Sequence, residues 1–327
     1  YYTSNSGLPE LREGIANYLD RRFDLHYDPV GEIFVTVGGS EAIDMALRAI
    51  INPGDEVIVP EPCFVCYSPL IEIMGGVAVP LYTDVKDCFK VTPEKLRPLL
   101  SDKTKAIVLS YPNNPTGAIM TKQDLEKILP DLLSRDILVL SDEIYGELTY
   151  TTAHTSIASL PGMRERTIVV SGFSKAYAMT GWRLGYVAAP APIIKQMLKL
   201  HQYGIMCAST ASQYAGVEAI NSGDEDIQYM KEQYDLRRVY VVKRLRGMGI
   251  ECFEPEGAFY VFPRIDNFGM TSEEFCQKLL DEKRVAIVPG SAFGAGSEGF
   301  ARISYAYSID HLTIALDRIE EFIKDLK

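Results

Sequence analysis

The sequence is poor in several residue types that would mark common protein classes. Six cysteines in 327 residues are too few to staple a chain of this length as a disulfide scaffold. Cys63 and Cys66 form one CxxC, but no second pair stands at zinc-ligand spacing. A thioredoxin-type redox pair has to open a helix after a strand. This pair is crowded by aromatics in Pro62-Cys63-Phe64-Val65-Cys66-Tyr67, and reads as buried or half-buried thiols in a reducing cytoplasm. The four histidines, His26, His154, His201 and His311, are scattered, form no HExxH and read as structural. Positive charge is scarce too: 33 Lys plus Arg against 44 Asp plus Glu leave a net charge of −11. A nucleic-acid partner requires a basic field, so the balance argues against DNA or RNA, though not against a basic pocket for a small anion. Apolar runs such as Thr167 to Val170 and Leu184 to Pro190 stop far short of the ~20 residues that span a bilayer, so no membrane partner is expected. Internal repeats and low-complexity tracts are missing as well.

What is present is ordinary globular composition, with 47% hydrophobic and 24% charged residues. The length suggests two domains at ~150 residues each. Short apolar runs alternate with helical patterns. Ile33 to Val37 reads as a strand ending in Gly38-Gly39, and Ser40 to Ile51 puts Ile43, Leu47, Ile50 and Ile51 on one helical face. Further strands are expected at Glu56–Val59, Val77–Tyr82, Ala106–Leu109, Ile137–Leu140, Thr167–Val170 and Leu184–Ala188. Runs such as Ile-Leu-Val-Leu are apolar throughout, which fits strands buried on both faces in a mainly parallel sheet covered by helices, an α/β fold. Thr121 to Ser134 reads as a helix in which Thr121 and Asp124 make a capping box. From Asp224 to Gly247 one long charged helix is expected, followed by a change of pattern at Ala258–Phe262, a helix near Thr271–Lys283, strands at Val285–Val288 and Ala301–Tyr305 and a closing helix from Ile309. The change of pattern places a domain boundary near residue 234, with residues 1–234 the larger unit and 235–327 a smaller α+β unit. Gly294-Ala295-Gly296-Ser297-Glu298-Gly299 fits GxGxxG by letter. It precedes a strand instead of following one, so a flexible loop is the expectation.

Four segments hold unusual polar groups at strand ends, where open α/β sheets bind ligands. Gly38-Gly39-Ser40-Glu41 lets backbone amides at a helix start approach an anion; glycines of this kind also serve as plain helix-entry turns. Tyr111-Pro112-Asn113-Asn114-Pro115-Thr116-Gly117 holds two asparagines between prolines, as a fixed amide donor or as a turn. Asp142, in Ser141-Asp142-Glu143-Ile144-Tyr145, ends a buried strand, where ionisation is costly unless a cation or donor meets it; a helix cap is the plainer reading. Ser171-Gly172-Phe173-Ser174-Lys175, with Arg183 downstream, offers an amine nucleophile and an anion clamp. A lone lysine there would be a solvated charge, and the SxxK of penicillin-binding proteins is excluded because Gly172 occupies the third position before Lys175.

Taken together and in this order, NPTG, DEIY, the SK…GWRLGY segment and ARISYA resemble the class I/II aminotransferases of pyridoxal-phosphate fold type I. The likeness runs from Tyr2 and Gly7-Leu8-Pro9-Glu10-Leu11-Arg12 to Ala301-Arg302-Ile303-Ser304-Tyr305. It implies a mainly parallel seven-stranded sheet between helices, a smaller C-terminal domain and pyridoxal 5′-phosphate as cofactor. It further implies that Lys175 forms the Schiff base and shuttles the substrate proton. Asp142 would pair with the pyridinium nitrogen, and Tyr145 and Asn114 would donate to the ring phenolate oxygen. Gly39, Ser40 and Glu41 through their amides, with the Ser40 hydroxyl and Arg183, would hold the phosphate. Phe64 would stack on the ring, and Arg302 would clamp the substrate α-carboxylate. Gly172 stands where many members have serine, so Ser171 or Ser174 would supply the remaining phosphate hydroxyl. Tyr2 would reach the phosphate of the neighbouring subunit of a homodimer with shared active sites. The family's N-terminal arm and glycine-containing substrate segment would precede Tyr1 and are not in this sequence. The implied activity is ping-pong transfer of an amino group from an amino acid, with aspartate, alanine or aromatic donors, to a 2-oxo acid such as 2-oxoglutarate, in the cytoplasm. A carbon–sulfur β-lyase would use the same cofactor, but Met179 to Arg183 looks more like the transaminase branch. An aminotransferase-like regulator domain would accompany a DNA-binding helix-turn-helix, and no basic recognition segment is present.

Overall fold

A computed structural model describes residues 2–326. Its larger sheet is built from β1 (Ile33–Thr36), β2 (Glu56–Glu61), β3 (Val77–Tyr82), β4 (Thr104–Ser110), β5 (Leu138–Asp142), β6 (Thr167–Gly172) and β7 (Gly185–Ala188), in the order β1-β7-β6-β5-β4-β2-β3. The pairs from β3 to β6 are parallel, whereas β7 runs antiparallel to both of its neighbours. A parallel strand needs a crossover to return, and helices supply it here. The helices are α1 (Pro9–Phe23), α2 (Gly38–Ile50), α3 (Tyr67–Ile73), α4 (Pro93–Leu96), α5 (Lys122–Leu133), α6 (Phe173–Ala176), α7 (Ala191–Gly204), α8 (Thr210–Ser222), α9 (Asp224–Gly247), α10 (Ser272–Lys283) and α11 (Ile309–Asp325).

Alternation along the strands explains why the sheet is apolar on both faces. Ile168 and Val170 of β6 pack with Ala42, Ile43 and Leu47 of α2 on one face. Val169 points the other way, to Leu11 and Ile15 of α1. Ile107 and Leu109 of β4 likewise meet Leu125, Ile128 and Leu132 of α5. Both Thr121–Asp124 capping bonds that start α5 are present. The helix α9 passes unbroken through residue 234 and delivers Val241, Val242 and Leu245 to a separate core with Phe275 of α10 and Leu316, Ile319 and Phe322 of α11. Against that core lies a small antiparallel sheet, β8 (Tyr260–Val261), β10 (Ala301–Ser304) and β9 (Val288–Pro289).

Some expected strands are shorter. Of Val285–Val288 only Val288 enters a ladder, because Val285 is buried in the small core and Ile287 packs against it instead. Within the apolar run Ala258–Phe262, Tyr260–Val261 forms the strand that pairs with β10. The glycine-rich stretch Gly294–Gly299, expected as a flexible loop, holds one 3₁₀ turn, Ala295–Ser297, directly after another at Gly290–Phe293, and leads into β10. The CxxC does stand between β2 and α3. Burial nevertheless pushes both thiols up, Cys66 to about 12, so neither is an activated thiolate. Among the described residues no helix is long and apolar enough to cross a membrane.

At the edge where β1, β4, β5 and β6 end, β7 begins, and the register aligns Ser110 with Asp142 and Gly172 with Gly185. Close approach is what makes this edge usable. A Cβ on Gly185 would stand 2.6 Å from the Gly38 carbonyl carbon and 2.8 Å from the Gly39 nitrogen. Gly185→Ala is therefore expected to push the α2 start off the sheet, costing about 1–3 kcal/mol by overpacking. Urea denaturation of the two proteins checks this.

Candidate active site

Every polar segment singled out from the sequence arrives at that edge. Gly39 and Ser40 stand in the first turn of α2, Asn114 in the loop after β4, Asp142 at the end of β5, and Ser174 and Lys175 on α6 just after β6. Arg183 directly precedes Leu184 and β7. Because β7 is reversed, its beginning and not its end lies at the site. Arg302 comes from β10 of the small sheet. These eight side chains or backbones, with Phe64 and Tyr145, line one cavity of about 340 Å³.

Three expected residues have side chains outside the cavity, which bears only on Ser171, since Glu41 is expected to act through its backbone amide and Tyr2 in the neighbouring subunit. The Glu41 carboxylate turns behind α2, accepting from the Val37 amide at 2.5 Å and meeting His201 Nδ1 at 2.6 Å. Ser171 donates to the Glu143 carbonyl at 3.3 Å, so of the two serines only Ser174 faces the cavity. Tyr2 is 83% exposed and outside the cavity. Gly172 has a local reason for lacking a side chain, since a Cβ there would sit 2.8 Å from Gly185 Cα. Of the paired asparagines, Asn113 holds the turn by accepting from the Thr116 amide and hydroxyl at 3.1 and 2.8 Å, which frees Asn114 for the cavity.

Four cavity residues had no sequence signal of their own: Tyr67, Ser110, Thr180 and Tyr260. Tyr67 is fully buried and donates to Asp142 Oδ2 at 2.7 Å, while its hydroxyl also lies 3.0 Å from Ser110 Oγ. The Ile144 amide donates to Asp142 Oδ1 at 3.1 Å. Tyr260 reaches in from β8, its hydroxyl 2.9 Å from that of Tyr145. Its ring lies beneath Arg302, with the guanidinium carbon 4.5 Å from the centroid. Arg302 donates through Nη1 to Asn114 Oδ1 at 2.9 Å, and its buried Nε has no partner among the described residues.

The electrostatics follow from burial and three clustered cations. Burial raises the Asp142 carboxyl above its ordinary value, an effect partly offset by the Tyr67 hydroxyl and the Ile144 amide. Burial, then the charges of Arg183 and Arg302, lower the Lys175 amine, with Asp142 opposing. Just behind Asp142, burial alone would raise Glu143. Its contacts with His154 at 2.9 Å, Ser156 at 2.6 Å and Ser141 at 2.7 Å outweigh that and hold it low. Both buried histidines thus serve structural carboxylates, Glu41 and Glu143, as their scattered positions in the sequence lead one to expect.

This arrangement fits a phosphorylated, ring-bearing aldehyde. No side chain caps α2, so its first amides are left for an anion. Gly38 sits at φ +78°, where glycine is favoured, and a Cβ there would meet Arg183 Nη2 at 2.6 Å. A buried carboxylate raised by desolvation is the natural partner of a cationic ring N–H. A lysine amine that loses its proton readily suits imine formation. Such features define an enzyme in which a lysine carries a carbonyl cofactor beside an anion cradle.

The class I and II aminotransferase family model matches residues 1–319. The chain is 51% identical to YugH of Bacillus subtilis (strain 168) over 98% of its own length and 83% of that protein. It is 45% identical to an aspartate aminotransferase of Pyrococcus abyssi, over 100% of this chain and 85% of the relative. The solved aromatic aminotransferase of Pyrococcus horikoshii OT3 superposes with a TM-score of 0.97 at 45% identity, over 99% of this chain and 88% of that one. The chain belongs to the class I and II aminotransferases. It is a pyridoxal-phosphate-dependent enzyme of fold type I that moves an amino group between an amino acid and a 2-oxo acid.

The lowered Lys175 pKa has a definite sign: the neutral, reactive amine appears at lower pH than in a free lysine. In the cofactor-free protein, labelling of Lys175 by an amine-reactive reagent is expected to reach half its maximum rate below pH 10.5, the ordinary lysine value. Arg302→Gln, which removes one of the opposing charges, should move that midpoint part of the way up. Peptide mass spectrometry across a pH series reads both.

Proposed function

We propose the following division of labour, carried by one observation: Lys175, Asp142, Arg183 and Arg302 face a single cavity. When bound, pyridoxal phosphate supplies a carbonyl for condensation with amines and a ring that delocalises the electron pair left at a deprotonated substrate carbon. The amides of Gly39, Ser40 and Glu41, the hydroxyls of Ser40 and Ser174, and Arg183 hold the phosphate. Asp142, oriented by Tyr67, keeps the ring nitrogen protonated, and Phe64 covers a ring face. Because the Asn114 oxygen accepts from Arg302, its amide nitrogen is free to donate to the ring phenolate oxygen together with Tyr145. Arg302 binds the substrate α-carboxylate, its unpartnered Nε giving one of the two parallel donors such a pair needs. Lys175 Nζ would take the proton that leaves the substrate Cα and hand it back, and water would then release the 2-oxo acid and leave the amino group on the cofactor, one half of a ping-pong cycle.

For the donor we propose aspartate, alanine or an aromatic amino acid, with 2-oxoglutarate as acceptor. The relatives named above include an aspartate and an aromatic aminotransferase, and the rings of Phe64, Tyr67, Tyr145 and Tyr260 line the cavity. A homodimer with Tyr2 reaching the neighbouring phosphate is also proposed. It is supported by the exposed Tyr203, Ile205, Met206 and Tyr214, next to which Thr3 and Asn5 are bonded to Gln213 and Gln202. Six cysteines without a disulfide among the described residues fit a cytoplasmic setting.

Borohydride reduction of the holoenzyme is expected to fix the cofactor on Lys175. Lys175→Ala should lose that adduct, and amino transfer should drop by roughly 10²–10⁴-fold or more, the scale of a lost general base. A Lys175→Ala protein that transfers amino groups at the wild-type rate refutes the assignment. Arg302→Leu should raise KM for the amino acid by about 10–100-fold, the worth of a charge-assisted hydrogen-bonded contact. Initial rates over a panel of donors against 2-oxoglutarate measure this and rank the substrates.

A further inference from the structure

Tyr260 touches both Tyr145 and Arg302 without belonging to the large sheet. Its segment is stitched to the two loops that carry Asn114 and Tyr145. The Gly117 carbonyl accepts from the amides of Glu256 and Gly257, each at 2.9 Å, and the Ala258 amide donates to the Leu148 carbonyl at 2.8 Å. From there β8 pairs with β10, Tyr260 opposite Ser304, which sets the Tyr260 ring against Arg302 on the neighbouring strand. The hydroxyl of Tyr260 meets that of Tyr145 in a buried contact of 2.9 Å.

A phenol has one proton to give. If Tyr145 donates it to Tyr260, none remains for the cofactor's ring oxygen. Tyr145 can donate to that oxygen only when Tyr260 is the donor to Tyr145, which makes a chain running from Tyr260 through Tyr145 to the ring. A hydroxyl that itself accepts a hydrogen bond is polarised and becomes the stronger donor. The ring face of Tyr260 meanwhile presents its negative quadrupole to the Arg302 guanidinium and restricts where that cation can sit.

We propose that Tyr260 is a positioning residue with two separable parts: its hydroxyl orients and strengthens Tyr145 as donor to the ring oxygen, and its ring holds Arg302 for the substrate carboxylate. This rests on the roles given above to Tyr145 and Arg302. The hydroxyl part predicts a change that a merely structural role would not produce. A weaker donor leaves the ring oxygen more basic, so the cofactor bound at Lys175 holds its proton to higher pH.

The test uses the holoenzyme and two readouts, the pH midpoint of the visible absorbance change and the KM–kcat split. Tyr260→Phe should raise the midpoint by about half a pH unit, as loss of one neutral hydrogen bond would, and leave KM within about twofold. Tyr260→Leu should raise it similarly and increase KM roughly tenfold, the scale of a desolvated cation–π contact. Asp142, Arg183 and Arg302, the charged groups acting on Lys175, are unchanged in both. Tyr145→Phe is the reference. If it raises the midpoint and Tyr260→Phe does not, the hydroxyl part of the inference is wrong and the reading of Tyr145 stands. If neither does, the reading of Tyr145 fails and the inference with it. Equal KM values in Tyr260→Leu and Tyr260→Phe overturn the ring part, with thermal melts showing that both variants are folded.

Discussion

Three cations, Lys175, Arg183 and Arg302, face a cavity whose lining contains a single carboxylate, Asp142. Most of the structure around the site follows from that imbalance. Like charges brought together out of water repel, and an excess of this kind suits anions: in the proposed assignment, a phosphate at Arg183 and the α2 start and a carboxylate at Arg302. The chain as a whole carries a charge of −11, so this positive focus is local. Its cost shows in Lys175, whose proton is loosened by burial and by the two arginines. The same strain suits the proposed chemistry, because a lysine acting as nucleophile and then as base works best when it is readily neutral.

Asp142 is the counterweight, and it is supported from behind. Tyr67 and the Ile144 amide fix its two oxygens, while Glu143 is tied by two serines and His154 so that its charge is satisfied away from the cavity. Two adjacent buried carboxylates would otherwise compete for the same proton. Separate partner sets allow one to be structural and the other to face a ligand. Glu41 obeys the same rule at the α2 start, where His201 and the Val37 amide take its carboxylate out of the anion cradle.

Arg302 belongs to a different sheet, so the site exists only where the two sheets are sewn together. The Glu256–Tyr260 segment makes that seam through Gly117 and Leu148, and Asn114 completes it by accepting from Arg302. The residues proposed for carboxylate and ring recognition are therefore joined mechanically.

Much of this is legible in the amino-acid sequence. Runs such as Ile137–Leu140 and Thr167–Val170 announce doubly buried strands, and the Thr121–Asp124 cap is a local bond that residue spacing specifies directly. Lys175, Asp142, Asn114 and Arg183 can be named because each sits in a motif beside a strand end, and Arg302 because its ARISYA segment resembles the family's. Tyr67 and Tyr260 cannot, since their partners lie 75 and 115 residues away and nothing adjacent marks them. The extent of the small strands is equally hidden, because a two-residue ladder depends on what β10 can reach. Sequence alone determined the layered α/β architecture and the chemical inventory, through periodicity and local spacing. Only the tertiary structure decided which of those groups share a cavity, that the Glu41 carboxylate and Ser171 face away from it, and that Tyr260 bridges its two halves, because such contacts are set by strand order and register across the whole chain.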